Sequence, residues 1–252
     1  MSLGHSPQIV MNGLQIYLDA GNTKSYNGAV NTATWNDMVS GNLFNSTNAG
    51  MILPTYTTTT TNAGTSVGCF QFVGTGTNDT EFVCASPTIA TSTQQTYTRI
   101  AWFKLSAYDS GWSSLFQNAH GNNADMALTV YYNSGSPVLS FHQLYNGNDY
   151  YENGTTIINT NTWYMGAMTV NLLSSQVSLY VNGNLDATVS FASLPIGNSQ
   201  QNVLQIGGAT NDGYVGGRMM NGYIGAVMHY NRTLSADEIQ QNFSALRGRF
   251  GL

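Results

Sequence analysis

RMMNGYIGAVMHYNRTLSADEIQQNFSALRGRFG, residues 218–251, contains two periodicities in succession. From residue 223 to residue 230 the side chains alternate between two faces, and both faces carry apolar residues. Such alternation is typical of a strand that is covered on each side for part of its length. The first half of this segment therefore predicts a long strand inside a β-sandwich.

The second half of the segment predicts a helix. Ser235 is followed three residues later by Glu238, the spacing of a capping box in which each side chain bonds the other's backbone N–H. One apolar stripe follows at spacings of four and three, formed by Ile239, Phe243 and Leu246. Gly248 is the predicted stop. We therefore expect one short C-terminal helix over Ser235–Leu246.

Residues 222–239, GYIGAVMHYNRTLSADEI, resemble the closing segment of concanavalin A-like, laminin-G-like jelly-roll domains. In that family the segment forms the last strand and a helix beside the sandwich, which would place Asn231 and Arg232 at the corner between them. Residues 4–22 and 241–252 are similar to the chain ends of jelly-roll proteins encoded by tailed bacteriophages. The resemblance implies a lectin-like fold and a protein of the phage particle.

The middle of the chain repeats short β-prone segments separated by turns rich in Gly, Asn and Ser. The clearest predicted strands are 14–18, 97–104, 113–117, 126–132, 138–142, 162–170, 176–181, 185–191 and 203–208. Asn182-Gly183 predicts a type I′ hairpin turn, and the threonine-rich stretch 55–66 predicts an exposed edge or loop. We expect an all-β antiparallel sandwich, a jelly roll, forming a single domain over residues 1–252.

Composition narrows the function classes. Charged residues are 8% of the chain and the net charge is -5, which argues against a nucleic-acid partner because such proteins need a basic face. The sequence has no apolar run of about 20 residues that would span a membrane. Its N-terminus lacks the basic and apolar regions of a secretory signal. A virion protein made in the host cytoplasm fits these features.

The two cysteines, Cys69 and Cys84, flank a predicted hairpin with a turn at residues 74–79. Pairing Phe72 with Phe82 places the apolar side chains on one face, and in that register the two sulfurs point to opposite faces. A register shifted by one would oppose the cysteines but would set Phe72 against Glu81. The first register predicts free thiols.

The number and spacing of the Glu, His and Asp residues give little support to a catalytic or metal-binding site. Glycan hydrolases need two converging carboxylates, but the glutamates are only Glu81, Glu152 and Glu238, in separate contexts. The four histidines lack a zinc-binding spacing, so we expect no enzyme and no cofactor apart from Ca²⁺. Calcium prefers carboxylate and carbonyl oxygens, and Asp79, Asp149 and Asp212 in Asn/Gly-rich loops are the candidate ligands. Alternatively, Asp simply favours turns there.

Aromatic residues gather in a predicted loop over residues 143–152. Tyr145, Tyr150 and Tyr151 lie there beside Asp149, and Trp112 is a further candidate of the same kind. Aromatic rings beside acid and amide groups suit a sugar platform, whereas tyrosine is also common at protein interfaces.

Both chain ends are predicted to be docking arms, over residues 1–12 and 247–252. Arg247 and Arg249 could pair with an acidic neighbour, while Phe250 and Leu252 could fill a groove on another copy of the chain or another virion protein. The alternative is that the two apolar residues fold back on their own sandwich. The leading hypothesis is a structural protein of the capsid surface or tail fibre. The second is a module that binds host glycans, and the third, which the carboxylates disfavour, is a glycan-cleaving enzyme.

Overall fold

The computed structural model describes residues 7–28, 34–45, 47, 51–74, 79–88, 94–108, 111–118, 125–133, 135–145, 148–192, 203–208 and 218–252. For five residues within these ranges the description covers the backbone but not the side chain: Asp125, Asn133, Leu144, Tyr145 and Asp149.

This part of the chain forms sixteen strands and one helix. The strands are β1 (Leu14–Asp19), β2 (Trp35–Asn36), β3 (Leu43–Phe44), β4 (Thr55–Thr60), β5 (Ser66–Phe72), β6 (Phe82–Cys84), β7 (Thr96–Leu105), β8 (Gly111–Asn118), β9 (Asp125–Asn133), β10 (Ser136–Tyr145), β11 (Asn148–Ile157), β12 (Trp163–Asn171), β13 (Gln176–Val181), β14 (Asn184–Ser190), β15 (Leu204–Ile206) and β16 (Gly222–Tyr230), and the helix is α1 (Ala236–Phe250).

Two antiparallel sheets form the sandwich, as the sequence predicts. The eight-stranded sheet has the order β14-β13-β12-β7-β16-β5-β4, with β1 also paired to β16. The six-stranded sheet has the order β11-β10-β9-β8-β15-β6, and β2 and β3 pair separately. Asn182 and Gly183 both have positive φ, 50° and 82°, so the predicted type I′ turn between β13 and β14 is confirmed. Among the described residues, no helix is both long and apolar enough to cross a membrane.

Aromatic rings fill the space between the sheets. Phe70 on β5 lies 4.8 Å from Phe82 on β6, and Trp35 packs on both, at 4.9 Å and 5.7 Å between ring centroids. All three side chains are fully buried. Since β5 and β6 belong to different sheets, these contacts join the sheets face to face.

The cysteines are free and buried, which confirms the predicted thiols, but the predicted hairpin is wrong. β5 pairs with β4 and β16, whereas β6 pairs with β15 in the other sheet. The phenylalanines that suggested one ladder instead face each other across the sandwich. Burial raises the pKa of Cys69 to about 12, so the thiol stays protonated and unreactive near neutral pH.

Helix α1 packs on the outer face of the eight-stranded sheet. The capping box is present, with Glu238 N–H donating to Ser235 Oγ and Ser235 N–H donating to Glu238. Arg232, at the predicted corner, pairs with Glu238 at 2.5 Å and holds the pKa of that carboxyl down at about 2. The predicted end at Leu246 is wrong, because the helix continues to Phe250.

The helix stop is Gly251 rather than Gly248. Gly251 has φ 77° and its N–H bonds back to the carbonyls of residues 247 and 248, the left-handed cap that favours glycine. Gly248 lies on the exposed side of the helix, and a Cβ there would meet nothing within 4 Å. Nothing in its surroundings requires the chain to leave the helix at that point.

The C-terminal segment is therefore part of the domain, and the predicted docking arm at residues 247–252 is corrected. Phe250 is fully buried, stacks on Trp102 at 4.4 Å and packs at a tilted angle against Trp163 at 4.8 Å. Arg249 bonds Asp19 of the same chain at 2.6 Å. Leu252 packs partly against the cluster that contains Phe250, whereas Arg247 is exposed. Phe250 and Leu252 thus fold back on their own sandwich, which was the alternative to the docking arm.

The described part of the N-terminal segment, residues 7–12, is also not a free arm. Val10 is buried, its N–H donates to Asn242 Oδ1 at 2.8 Å, and its carbonyl accepts from the Tyr230 hydroxyl at 2.9 Å. Gln241 donates to the carbonyl of Gln8. These bonds hold the segment against α1 and β16. The first six residues of the predicted arm lie outside the described ranges.

One buried histidine yields a prediction about acid stability. His229 on β16 is 1% exposed, its Nε2 lies 2.7 Å from Gln94 Oε1, and its ring stacks on Tyr97. Burial, followed by the nearby Arg99 guanidinium, holds the pKa of His229 well below its usual value near 6.5. The folded protein therefore keeps this imidazole neutral, while the unfolded chain takes up a proton below about pH 6.5.

The free energy of unfolding should accordingly fall by about 1.4 kcal/mol per pH unit as the pH drops from about 6.5 toward the folded pKa. Urea unfolding of the wild type and of His229→Gln at several pH values checks this. The variant should lose most of the slope between about pH 6.5 and pH 5, a window above the ordinary pKa values of Asp and Glu. Equal slopes for the two proteins would show that His229 is not responsible.

Candidate functional site

The outer face of the six-stranded sheet carries an unusual number of polar and aromatic side chains. The register places the cross-strand partners in rows that share this face. One row contains Tyr151, His142, Ala127, Gln117 and Gln205. The next contains Asn153, Ser140, Thr129 and Ser114. A third contains Val138, Tyr131 and Trp112.

Four rings meet where these rows converge, and we call them the ring cluster: Trp112, Tyr131, His142 and Tyr151. Trp112 lies 4.1 Å from Tyr131, 4.6 Å from His142 and 6.1 Å from Tyr151, measured between ring centroids. Tyr131 and Tyr151 are 6.5 Å apart. Each ring comes from a different strand, from β8 to β11, so the rigid ladder fixes their spacing.

The exposure of the rings is graded. Tyr151 is 51% exposed, whereas His142 is 2% exposed beneath its neighbours. Trp112 and Tyr131 are half-buried. The space enclosed by Trp112, His142 and Arg218 is too small to admit water. A ligand would therefore lie on the ring faces rather than enter a pocket.

Arg218 reaches the base of the ring cluster from the segment that precedes β16. Its carbonyl accepts from Ser114 N–H at 3.0 Å, which anchors the segment beside β8. Its Nη1 lies 3.2 Å from His142 Nδ1. Because a guanidinium can only donate, Nδ1 accepts this bond and the ring proton of a neutral His142 resides on Nε2. Arg218 thus fixes the orientation and tautomer of the histidine.

A chain of buried side-chain hydrogen bonds, most of them made by glutamine amides, supports the ring cluster from one side. Ser114 Oγ donates to Gln117 at 2.8 Å, Gln117 Nε2 donates to Gln205 at 2.8 Å, and Gln205 Nε2 donates to Glu81 at 3.2 Å. The last three side chains are fully buried. Satisfied buried networks of this kind are rigid and stabilise one arrangement of the sheet face.

Two of the five predicted ligand residues meet in this cluster, namely Trp112 and Tyr151. Tyr150 does not, because it faces the sandwich interior and packs against Phe191 at 6.2 Å. The predicted loop over residues 143–152 is wrong, since most of it forms the β10–β11 hairpin, in which neighbouring residues point to opposite faces. The side chains of Tyr145 and Asp149 lie outside the described ones.

Sequence reasoning missed Tyr131, His142 and Arg218. In β9 the apolar residues 126, 128 and 130 alternate with Ala127, Thr129 and Tyr131, so the outward direction of Tyr131 could have been found from the period of two. The contact between Tyr131 and Trp112 depends on the pairing of β8 with β9, which no local signal specifies.

The candidate calcium ligands are not brought together by the described residues. Asp79 is buried, and the described side chains contain no group of three or more His, Cys, Asp or Glu that could hold a metal ion. Asp212 and the side chain of Asp149 lie outside the description. The calcium site therefore stays a prediction.

The three glutamates lie in separate environments. Glu81 lies beneath the outer face of the six-stranded sheet, and Glu238 caps α1. Glu152 pairs with the inward-facing Phe141 in the ladder, on the opposite face from Tyr151, and burial raises its pKa. These three side chains do not converge as an acid and a nucleophile would.

The family model Laminin_G_3, described as the concanavalin A-like lectin/glucanases superfamily, matches residues 76–240. A search of curated protein sequences found no significant match.

Solved structures with the same fold include several binding domains. Domain 4 of AbnA, a GH43 extracellular arabinanase from Geobacillus stearothermophilus solved with arabinotriose, is 14% identical with a TM-score of 0.61, covering 91% of this chain and 97% of that one. The botulinum neurotoxin type G receptor binding domain is 11% identical with a TM-score of 0.61, covering 92% and 51%.

A sialidase from Trypanosoma rangeli is 18% identical with a TM-score of 0.57, covering 95% of this chain and 34% of that one. This chain thus spans about a third of the length of that enzyme. At such identities these likenesses show a shared fold and nothing finer.

Proposed function

The chain belongs to the concanavalin A-like lectin/glucanases superfamily, and we propose that it binds carbohydrate through the ring cluster on its six-stranded sheet. The observation that carries this proposal is the convergence of Trp112, Tyr131 and Tyr151 on one rigid sheet face, with Tyr151 half exposed. Saccharide rings have an apolar C–H side that packs on aromatic faces. The tyrosine hydroxyls can then bond sugar hydroxyls at the rim.

The fold neighbours support this proposal at the level of the scaffold. The arabinanase domain that covers nearly the whole of this chain was solved with a trisaccharide, and the neurotoxin domain binds a receptor. The first is one domain of an arabinanase, and the second is one domain of a neurotoxin. The fold of this chain is therefore one on which a trisaccharide complex and a receptor-binding domain are known.

We further propose that the protein binds glycan without cleaving it. Hydrolysis requires an acid and a nucleophile or base within about 5–10 Å of each other on either side of the bond. Glu81 belongs to the buried hydrogen-bond network of the glutamines. Glu152 lies on the face of β11 opposite to Tyr151, and Glu238 caps α1. Incubation of purified protein with any glycan that it binds, followed by mass spectrometry of the glycan, tests this. Shortened products would overturn it.

The setting that we propose is the surface of a bacteriophage particle, with the protein as part of the capsid decoration or tail fibre. The phage-like ends of the sequence and its low charge support this setting. Proteomic analysis and antibody labelling of purified particles from a lysate that contains the protein check it. Antibody that labels only debris outside the particles would contradict it.

Trp112→Ala tests the binding site. On a glycan array the wild type should bind at least one glycan, and calorimetry with that glycan gives the dissociation constant. Truncation of a central interface aromatic costs about 2 kcal/mol, so the variant should bind about thirtyfold more weakly. Tyr151→Ala should also weaken binding, whereas Tyr151→Phe keeps the ring face and should retain most of it.

Leu173→Ala provides the control, because it removes an exposed apolar side chain from the turn between β12 and β13, in the other sheet. It should bind like the wild type. Thermal melts of all variants exclude unfolding as the cause. Failure of the wild type to bind any glycan, or wild-type affinity in Trp112→Ala, would refute the proposed site.

A further inference from the structure

Strand β11, at one edge of the six-stranded sheet, contains a β-bulge close to the ring cluster. Its ladder with β10 pairs Asn153 with Ser140 and Ile157 with Val138. Between these two pairs β10 has a single residue, whereas β11 has residues 154–156, so part of β11 is extra at this point. The bulge begins just after the stretch of β11 that carries the ring-cluster tyrosine.

Strand β14, at the edge of the other sheet, contains a bulge of its own. Leu179 pairs with Ala187 and Tyr180 pairs with Leu185, so Asp186 is the extra residue and has no partner on β13 in this register. A bulge changes the direction in which a side chain points from the strand. Asp186 accordingly reaches across to β11 in the six-stranded sheet.

The carboxylate of Asp186 binds the bulge of β11. It accepts bonds from the N–H groups of Thr155 and Thr156, at 3.1 Å and 3.0 Å, and from their hydroxyls, at 3.0 Å and 2.7 Å. Such bonds to a carboxylate are charge-assisted and stronger than bonds between neutral groups. The fit is close, since a Cβ at Gly154 would lie 2.0 Å from Asp186 Oδ2. The point at which β11 takes up its extra residues is therefore fixed from the other sheet.

The sequence of β11 gives its register little other support. NDYYENGTTI is mostly polar and contains glycine, and strands of that kind are prone to slip. Because Tyr150 and Tyr151 are consecutive, a slip of one residue would turn Tyr151 inward and bring Tyr150 to the outer face. The interior would still receive a tyrosine beside Phe191, so apolar burial separates the two registers only weakly.

From these contacts we propose that Asp186 is a positioning residue of the ring cluster, which keeps Tyr151, rather than Tyr150, on the outer face beside Trp112. The effect on glycan binding rests on the proposed function, whereas the effect on the register does not. Without the carboxylate, the N–H groups of the bulge lose their acceptor, and β11 can slip or fray. In either case Tyr151 leaves Trp112 for part of the time, and only the molecules that keep it there bind with full affinity.

Nuclear Overhauser contacts between aromatic rings test the register without any glycan. The centroids of the Tyr151 and Trp112 rings lie 6.1 Å apart, and the rings meet edge to face, so their nearest protons are close enough to give such a contact. Replacing each tyrosine by phenylalanine in turn assigns the signals of Tyr150 and Tyr151. The wild type should show the contact from Tyr151, and Asp186→Asn should lose most of it. A strand that slips adds a contact from Tyr150 to Trp112, and a strand that frays adds none.

Gly154→Ala is a second variant that leaves the carboxylate in the chain. Its methyl group would take the place of Asp186 Oδ2, so it should push the carboxylate off the bulge and weaken the same contact. Asp237→Asn is the matched control, because it removes the same charge from an exposed position in the first turn of α1. Thermal melts show that the variants are folded. A contact between Tyr151 and Trp112 as strong in Asp186→Asn as in the control would overturn the proposal.

Glycan affinity measures the consequence for binding. For a glycan that the wild type binds, Asp186→Asn should raise the dissociation constant at least about fivefold. In a Tyr151→Ala background the same change should raise it less than about twofold, because the ring that Asp186 positions is already absent. Equal factors in the two backgrounds would show that Asp186 does not act through Tyr151 and would refute the positioning role. If the wild type binds no glycan, the proposed function fails, and the ring contacts still decide whether Asp186 sets the register.

Discussion

Phe250→Ala will lower the free energy of unfolding by about 4 kcal/mol, the usual cost of removing a fully buried phenylalanine ring. The ring lies between Trp102 and Trp163, nearly parallel to the former at an interplanar angle of 13°. It also occupies the space above Gly225, where a Cβ would come within 2.6 Å of the ring. Because these neighbours are rigid strand residues, the cavity cannot collapse.

Urea unfolding monitored by tryptophan fluorescence measures this loss directly. For a chain of about 250 residues, the melting temperature should fall by roughly 10 °C. Arg247→Ala is the control, since that side chain is exposed in the last turns of the same helix. It should change the stability by less than about 0.5 kcal/mol. A Phe250→Ala variant as stable as this control would return Phe250 to the role of a docking residue.

Asn242→Ala will cost about 3 kcal/mol and will loosen the N-terminal segment. Asn242 is fully buried in α1, and its Oδ1 accepts the N–H of Val10 at 2.8 Å. Alanine leaves that buried donor without its acceptor, which costs about 1–3 kcal/mol, and also opens a small cavity. The Tyr230 hydroxyl keeps its bond to the Val10 carbonyl, so the segment should loosen rather than detach.

Chemical denaturation gives the energy, and hydrogen exchange at the Val10 amide gives the local effect. Gln241→Ala is the neighbouring control, because its bond to the Gln8 carbonyl is on the exposed surface. Its effect should stay within about 0.5 kcal/mol. If both variants lose the same stability, the buried amide has no special role in holding the segment.

The closing strand and helix could be predicted because their signals are local. The alternation of side chains between two faces predicts β16, and the spacing of Ser235 and Glu238 predicts the start of α1. The end of α1 could not be predicted in this way. The two C-terminal glycines look equivalent in sequence, and only the packing of Phe250 on two strands that lie far away in the chain carries the helix past Gly248.

In the candidate site, too, local signals could be predicted from the sequence and long-range contacts could not. Residue type alone pointed to Trp112 and Tyr151, since both are aromatic residues in polar surroundings. β11 was missed because its sequence, NDYYENGTTI, is rich in residues that disfavour strands, and its pairing with β10 overrides that preference. Unless residues 148–157 are recognised as a strand, the sequence does not show that Tyr150 and Tyr151 point to opposite faces of the sheet. The gathering of four rings depends on the registers of three strand pairs, which are long-range properties.

The hydrogen bond between Val10 and Asn242 of α1 also bears on how the protein can be attached to a solid support. The N-terminal segment and the C-terminal helix both lie on the eight-stranded sheet, whereas the ring cluster lies on the outer face of the other sheet. A tether attached at Leu252 would therefore leave the rings pointing away from its support. The protein is thus suited to oriented display on a sensor chip or bead, with the anchor and the sensing surface on opposite sides.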